Sequence, residues 1–163
     1  AVRGKLAQFP RGEGPEYDIY PKDLGEPYRS RRFKCGEDMY ATIGVPRDDR
    51  LARLLQFARN YEFFGAPVGL FFYVDRQMGP PQWSDLGMFM QTVMLLAREH
   101  GLHTCAQEAW SVWNRTVAGF LQAAPELMLF SGMSLGYRDE SAPINSLRTD
   151  RAALGEIASL RGF

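Results

Sequence analysis

The stretch that most constrains the fold runs from Gln82 to Trp110 and reads QWSDLGMFMQTVMLLAREHGLHTCAQEAW. Between Leu86 and Ala97 the side chains are apolar on nearly every side of a helix, with two polar interruptions. A helix that is apolar all round is a buried helix. A single domain of 163 residues rarely encloses a helix completely. We therefore predict that this helix, over about 84–100, lies between its own sheet and a second subunit.

The segments around this helix predict an α+β fold. Short apolar runs rich in aromatic and β-branched residues predict buried strands at 66–74 and 127–136, and LHTCA predicts a short strand or an extended link. Apolar residues at helical spacing predict further helices over about 23–43, 46–64, 109–122 and 151–160. We expect a small mixed sheet covered by helices, in a single domain over residues 1–163. Residues 1–21, rich in Gly, Pro and charge, are expected to form an extended or loop segment.

The charge and cysteine content exclude several classes of partner. Nineteen basic and nineteen acidic side chains cancel, which argues against a nucleic acid or a membrane surface held by bulk charge. The local run RSRRFK is either a solvated helix face or a phosphate-binding patch. The apolar run at 86–97 is too short to span a membrane. Only two cysteines occur, far apart, which fits a reducing cytoplasm.

Several motifs together resemble the FMN-dependent nitroreductase family. They are D-x-G-x-x-x-Q on the Met-rich helix, G-L-x-T-C at its end, a small-residue turn that contains Glu108, and then L-G-Y-x-D, P-x-N and a spaced pair of arginines. The resemblance covers roughly residues 65–163. It implies a nitroreductase-like homodimer with one FMN at each subunit interface and with the apolar helix as a central dimer helix. The implied activity is transfer of hydride or electrons from NADH or NADPH to a nitroaromatic, a quinone or a similar small-molecule acceptor.

The resemblance also implies which residues bind the cofactor. The segment after Thr104 would lie against the flavin, with a backbone N–H near Glu108 and Ala109 facing the flavin N5. Arg148 and Arg151 would bind the FMN phosphate, for which the planar guanidinium fork is well suited. The full set implied by the resemblance is Cys105, Ala106, Gln107, Glu108, Ala109, Arg148 and Arg151. No catalytic side chain is expected, because FMN carries the chemistry.

Two segments typical of the family, an Arg-Arg-Ser-x-Arg-like one and a Pro-Ser-x-x-Asn-like one, do not occur in these 163 residues. From this we expect weak FMN binding and slow or absent NAD(P)H oxidation by this chain alone. The alternative is a non-catalytic or truncated nitroreductase-like dimer with weak or no flavin binding.

The residues themselves leave several roles open. Cys105 either lines a flavin pocket or is a small buried hydrophobe. Trp110 and Trp113 either flank a ligand or pack in the core. Glu108 is a site residue through its backbone or a plain turn residue. No metal site is expected, since the two histidines lack further ligands at suitable spacing.

Overall fold

A computed structural model describes residues 2–162 of the chain. Ala1 and Phe163, the ends of the predicted single domain, lie outside the described residues. The chain forms two compact units, one of residues 2–22 and 54–138 and the other of residues 23–53 and 139–162. The prediction of one domain stays a prediction. In chain order the main elements are α1 (Tyr28–Thr42), α2 (Arg50–Ala58), β1 (Val68–Asp75), α3 (Pro80–Glu99), β2 (His103–Gln107), α4 (Asn114–Leu121), β3 (Leu127–Gly136) and α5 (Leu154–Ile157).

The first unit is built on a three-stranded sheet in the order β1-β3-β2. Both outer strands run antiparallel to β3. The sheet is therefore antiparallel throughout the described residues, and the prediction of a mixed sheet was wrong. The reason is that β1 and β2 point the same way but never become neighbours, because β3 lies between them. The α+β class and the strands predicted at 66–74 and 127–136 are confirmed, and LHTCA, predicted as a short strand or an extended link, lies in strand β2.

One irregularity of the sheet lies in β3 and fixes part of the N-terminal segment. The register shifts between Phe72 and Tyr73 of β1, so that Phe130 is an extra residue in β3. The Tyr17 hydroxyl donates a hydrogen bond to the Phe130 carbonyl, and the two rings stack with centroids 5.5 Å apart. A bulge leaves backbone groups without ladder partners, and Tyr17 supplies one here. Burial raises the pKa of this tyrosine.

The alternating side chains of the strands build two separate apolar layers. On one face, Leu129 packs with Trp110, Trp113 and Val117 of the segment after β2. This confirms that the two tryptophans pack in the core. On the other face, Met133 and Phe72 pack against Met90 of α3; the partly buried members of this second layer are Leu70, Leu86, Val93, Met94 and Phe130.

Helix α3 begins at Pro80, four residues before the predicted start. The sequence GPP resembles a turn, but proline is tolerated in the first turn of a helix, where its missing N–H has no intrahelical partner. Met90 and Ala97 are the buried residues of this helix. Substitutions at Met90 or Val93 would therefore disturb the layer that packs against the sheet.

The opposite face of α3 is apolar and exposed within this chain. Four large side chains there are 51–61% exposed: Met88, Phe89, Leu95 and Leu96. Counted from Met88, the other three follow after one, seven and eight residues, so all four lie on one side of the helix. The expected burial of this helix on all sides is therefore not reached by one chain, which covers only the sheet-facing half. No helix in residues 2–162 is both long and apolar enough to cross a bilayer.

In the second unit, ion pairs link α1 to the C-terminal segment. Lys34 pairs with Asp38 at 2.6 Å and with Asp150 at 2.9 Å, and Arg31 pairs with Glu156 at 2.6 Å. The RSRRFK run is thus a helix surface whose cations have acidic neighbours.

Helix α5 covers only 154–157, much less than the predicted 151–160. Its residue Gly155 disfavours a helix. The large side chains Leu154, Ile157 and Leu160 are exposed, so packing does not extend the helix.

Candidate functional site

The predicted flavin-facing segment lies at one edge of the sheet. Cys105, Ala106 and Gln107 belong to β2 and are paired with Ser134, Met133 and Gly132 of β3. Glu108 and Ala109 then open a 3-10 helix that ends at Trp113. The structure therefore brings the five predicted residues together as the end of an edge strand and the turn after it, which is the local geometry that the resemblance implies.

The start of this 3-10 helix has a property that suits a ligand. The first N–H groups of a helix have no partner within it and are usually capped by a side chain. Here Gln107 occupies the cap position and makes no side-chain cap hydrogen bond. The first backbone N–H groups of the turn, at Glu108 and Ala109, are therefore not capped by the Gln107 side chain.

Cys105 is exposed as a residue, and its thiol contacts the carbonyl of Ala106 at 3.6 Å. The surrounding protein still desolvates the sulfur enough to raise the pKa of the thiol. At neutral pH the group is a thiol and not a thiolate, so it is not prepared to act as a nucleophile.

Gln107 is the one member of the segment that is buried, with 2% of its surface exposed. Its side-chain amide donates to the carbonyl of Asn60 at 2.9 Å and to Asn60 Oδ1 at 3.2 Å. Its Oε1 has no hydrogen-bond partner among residues 2–162. A buried acceptor without a partner is rare in folded proteins.

Arg148 and Arg151 belong to the second unit, and both are exposed. In each, Nη1 donates to nearby backbone carbonyls: Arg148 to Asn145 and Leu147, and Arg151 to Thr149 and Asp150. The two arginines lie three residues apart on one non-helical stretch. Both guanidinium groups are accessible to an anion, and neither forms an ion pair with a carboxylate among the described residues.

Residues of the preceding 3-10 helix, Arg59–Gly65, contact this turn and were not predicted. Asn60 binds Gln107, and the Tyr61 hydroxyl lies 3.4 Å from the carbonyl of Ala109. We had predicted that residues 59–64 belong to a helix over about 46–64. In the structure Phe63 and Phe64 have left-handed backbone angles, with φ of 52° and 53°, which end the helix. The one sequence feature that could have indicated this was the FFG triplet.

A cavity of about 220 Å³ lies on the face of the sheet that carries Trp110. Its lining is mainly aromatic and aliphatic: Val2, Arg3, Tyr61, Phe63, Phe71, Trp110, Thr116, Val117 and Phe120. Another, of about 360 Å³, lies in the second unit beside the bidentate pair of Arg53 with Glu37. Neither cavity is lined by a predicted cofactor residue. Within residues 2–162 no three His, Cys, Asp or Glu side chains are grouped to hold a metal ion.

Comparison with known proteins adds the deciding observation. The profile of the nitroreductase family matches residues 23–137, which is most of the chain. The chain belongs to the nitroreductase family. This confirms the resemblance drawn from the motifs at Asp85–Gln91 and Gly101–Cys105.

Relatives and solved structures of the family are similar over nearly the whole chain. A "4-nitrobenzoate reductase" of Pseudomonas putida is 39% identical over 143 residues, which cover 88% of this chain and 63% of the relative. A "nitrobenzene nitroreductase" of Ectopseudomonas oleovorans is 35% identical over 150 residues, which cover 92% of this chain and 66% of the relative. The crystal structure of the "FMN and NADPH-dependent nitroreductase NfnB" of Sphigopyxis sp. strain HMH superposes with a TM-score of 0.95 at 47% identity, over 99% of this chain and 73% of that one. The nitroreductase fold is thereby established, and the chain spans just under two thirds of the length of these two curated relatives.

Proposed function

We propose that the protein is an FMN-dependent oxidoreductase of the nitroreductase type. The observation that carries the proposal is the turn at Glu108 and Ala109, whose helix start is uncapped and follows the edge strand β2. Membership of the family supports it, as does the FMN and NADPH dependence named for the NfnB relative. FMN, when bound, accepts a hydride from NADH or NADPH and passes electrons to the acceptor.

The residues of this chain would bind and orient the cofactor. The backbone donors at Glu108 and Ala109 would face the flavin N5, and the buried Gln107 side chain would support the turn from beneath. Arg148 and Arg151 would bind the phosphate, because an exposed guanidinium fork donates two hydrogen bonds to a phosphate at once. Cys105 would line the pocket as a neutral thiol.

The acceptor is a nitroaromatic in this proposal. Support comes from the curated relatives, which are named for 4-nitrobenzoate and nitrobenzene. Quinones are the second acceptor class to be assayed. NADPH is the reductant to be tested first, since it is named for the solved relative, and NADH is tested beside it.

We also propose a homodimer that covers the exposed stripe of α3. Four large apolar side chains on one helix face are costly to leave in water, at about 25 cal/mol per Å² of apolar surface. Replacing Leu95 or Leu96 with Asp should convert a dimer to a monomer in sedimentation velocity. Leu51→Asp is the matched control, because it makes the same change at an exposed leucine of another helix, α2. A wild type that sediments as a monomer at micromolar concentration would contradict the dimer.

A cytoplasmic location fits the two free cysteines, which form no disulfide with each other. Fractionation of the native host tests it; recovery of the protein in an oxidising compartment with Cys35 or Cys105 in a mixed disulfide would contradict it.

The experiment that tests the function is a titration of the purified protein with FMN, followed by an assay of NADPH oxidation with 4-nitrobenzoate or nitrobenzene. Because two segments typical of the family do not occur in these 163 residues, the expected result is weak but saturable binding of one FMN per chain and slow oxidation of NADPH that depends on the acceptor. Riboflavin, which lacks the phosphate, is the matched control ligand and should bind more weakly. Saturable FMN binding without any turnover would favour the non-catalytic alternative, and no FMN binding would overturn the proposal.

A further inference from the structure

The turn that follows β2 is held from one side by a single short segment. Residues 60–63 contact residues 107–110 nearly in step: Asn60 binds Gln107, Tyr61 contacts the Ala109 carbonyl, and Tyr61 and Phe63 pack on Trp110. Both segments belong to the same compact unit. Three residues around the proposed flavin contact are thus contacted by three residues of the 3-10 helix Arg59–Gly65, which contains none of the predicted cofactor residues.

Asn60 makes the hydrogen bonds of this arrangement, and its amide has a defined orientation. Its Nδ2 donates to the carbonyl of Phe57 at 2.8 Å, so its Oδ1 is the atom that faces Gln107. The Gln107 amide then donates to both the backbone carbonyl and the Oδ1 of Asn60. Because Gln107 is buried, losing Oδ1 would leave one of the two N–H groups of its amide without a partner, while the Asn60 backbone carbonyl would still accept the other.

Aromatic packing fixes the same segment from the other end. The Tyr61 ring meets the edge of Trp110 at 5.4 Å and that of Trp113 at 6.0 Å, and Phe63 stacks on Trp110 at 4.8 Å. Phe63 reaches this position through a left-handed backbone conformation, which is uncommon for a bulky residue. Such conformations persist where the surrounding structure over-determines them, and they cluster at functional sites.

We propose that Asn60 is a positioning residue, which acts through Gln107 to hold the backbone of Glu108 and Ala109 in the orientation that the flavin requires. The inference rests on the proposed function for the identity of the ligand. Asn60 lies 47 positions before Gln107 in the sequence and is not one of the residues predicted to bind the cofactor. Its hydrogen bond to the Gln107 side chain connects it to the turn.

The first arm of the test uses the protein without cofactor. The variant is Asn60→Ala, and the readout is the backbone order parameter of Glu108 and Ala109 from ¹⁵N relaxation. In the wild type these amides should be rigid, near about 0.85, and in Asn60→Ala they should fall toward about 0.6 or below. Asn60→Asp keeps an acceptor for the Gln107 amide and should restore most of the rigidity.

The control is Asn114→Ala, which removes a buried asparagine that donates to the backbone carbonyls of Gly14 and Ser111 and has no described hydrogen bond to residues 107–109. It should lower the stability of the fold without lowering the order parameters of the turn. A fall of equal size in Asn114→Ala would assign Asn60 a general structural role and overturn the proposal. Unchanged order parameters in a folded Asn60→Ala would overturn it as well.

The second arm measures FMN. In Asn60→Ala the dissociation constant for FMN should rise about tenfold, and the visible circular dichroism of bound flavin should change, whereas Asn60→Asp and Asn114→Ala should stay near the wild type. Equal affinity and an equal flavin spectrum in Asn60→Ala would overturn the positioning role. If the wild type itself binds no FMN, the proposed function fails, and the relaxation data still decide separately whether Asn60 holds the turn.

Discussion

Glu13 anchors the N-terminal segment to α4, the helix that follows the candidate site, and its removal should cost much stability. Its carboxylate accepts the Thr116 backbone N–H at 2.9 Å and the Thr116 hydroxyl at 2.6 Å, and it pairs with Lys5 at 3.3 Å. Thr116 is the third residue of α4, so Glu13 caps the helix from a distant part of the chain. Only 6% of the Glu13 side chain is exposed.

The size of the effect follows from these contacts. Hydrogen bonds to a charged group contribute about 1.5–3 kcal/mol, and a lost N-terminal cap costs about 0.5–2 kcal/mol. Because the bonds share one carboxylate, they do not add fully. We expect Glu13→Ala to lower the free energy of unfolding by about 2–4 kcal/mol. For a chain of this size that is a fall in Tm of about 4–16 °C.

The same contacts predict how the effect depends on pH. Burial alone would raise the pKa of Glu13, but the hydrogen bonds from Thr116 and the pairing with Lys5 outweigh it and lower the pKa below its ordinary value of 4.5. A carboxyl whose pKa is lower in the folded state stabilises the fold fully above its unfolded pKa. That contribution is lost as the pH falls through the folded pKa. The difference between wild type and Glu13→Ala should therefore shrink as the pH is lowered from neutral to below 4.5.

Urea unfolding followed by tryptophan fluorescence measures both effects. Glu62→Ala is the matched control, since Glu62 also pairs with a basic side chain, Arg3, but at an exposed position. An exposed pair contributes about 0–1 kcal/mol. A loss in Glu13→Ala no larger than that in Glu62→Ala, or a loss that does not change with pH, would refute the reasoning.

Two further predictions concern the layer beneath the turn and the phosphate contacts. A Cβ at Gly132 would overlap the indole of Trp110, so Gly132→Ala should destabilise by about 1–3 kcal/mol in urea unfolding. Gly119→Ala, where nothing lies within 4 Å, should not, and equal effects would contradict the predicted overlap. Replacing Arg148 and Arg151 together with Ala should weaken FMN binding about ten- to more than a hundredfold by titration, because charge-assisted hydrogen bonds of about 1.5–3 kcal/mol are lost. Unchanged affinity would remove both arginines from the proposed site.

Much of the fold could be predicted from local patterns. The apolar run at 127–136 coincides with β3, because a continuous apolar stretch of that length bounded by turn residues is typical of a buried central strand. The start of α3 was missed, since Gly-Pro-Pro is equally compatible with a turn and with the first turn of a helix. The all-round apolar pattern of α3 predicted that two surfaces cover it, but not which residues face the sheet.

The candidate site could be predicted where it is continuous in sequence. Cys105 to Ala109 form one strand end and one turn, so a motif was enough to find them. Asn60 could not be found in that way. Its contact with Gln107 depends on a 3-10 segment with a left-handed turn at Phe63 and Phe64, and helical periodicity in the sequence conceals such a turn.

The most direct test of the proposed function follows the two half-reactions in the absence of oxygen. The purified protein is saturated with FMN and titrated first with NADPH and then with 4-nitrobenzoate. A blank that contains the same concentration of FMN without protein is titrated in the same way. The account predicts that NADPH bleaches the protein-bound flavin absorbance faster than that of the blank, and that the nitroaromatic restores it. A flavin spectrum identical to that of free FMN at saturating concentration, or a bound flavin that NADPH does not bleach, would contradict the assignment.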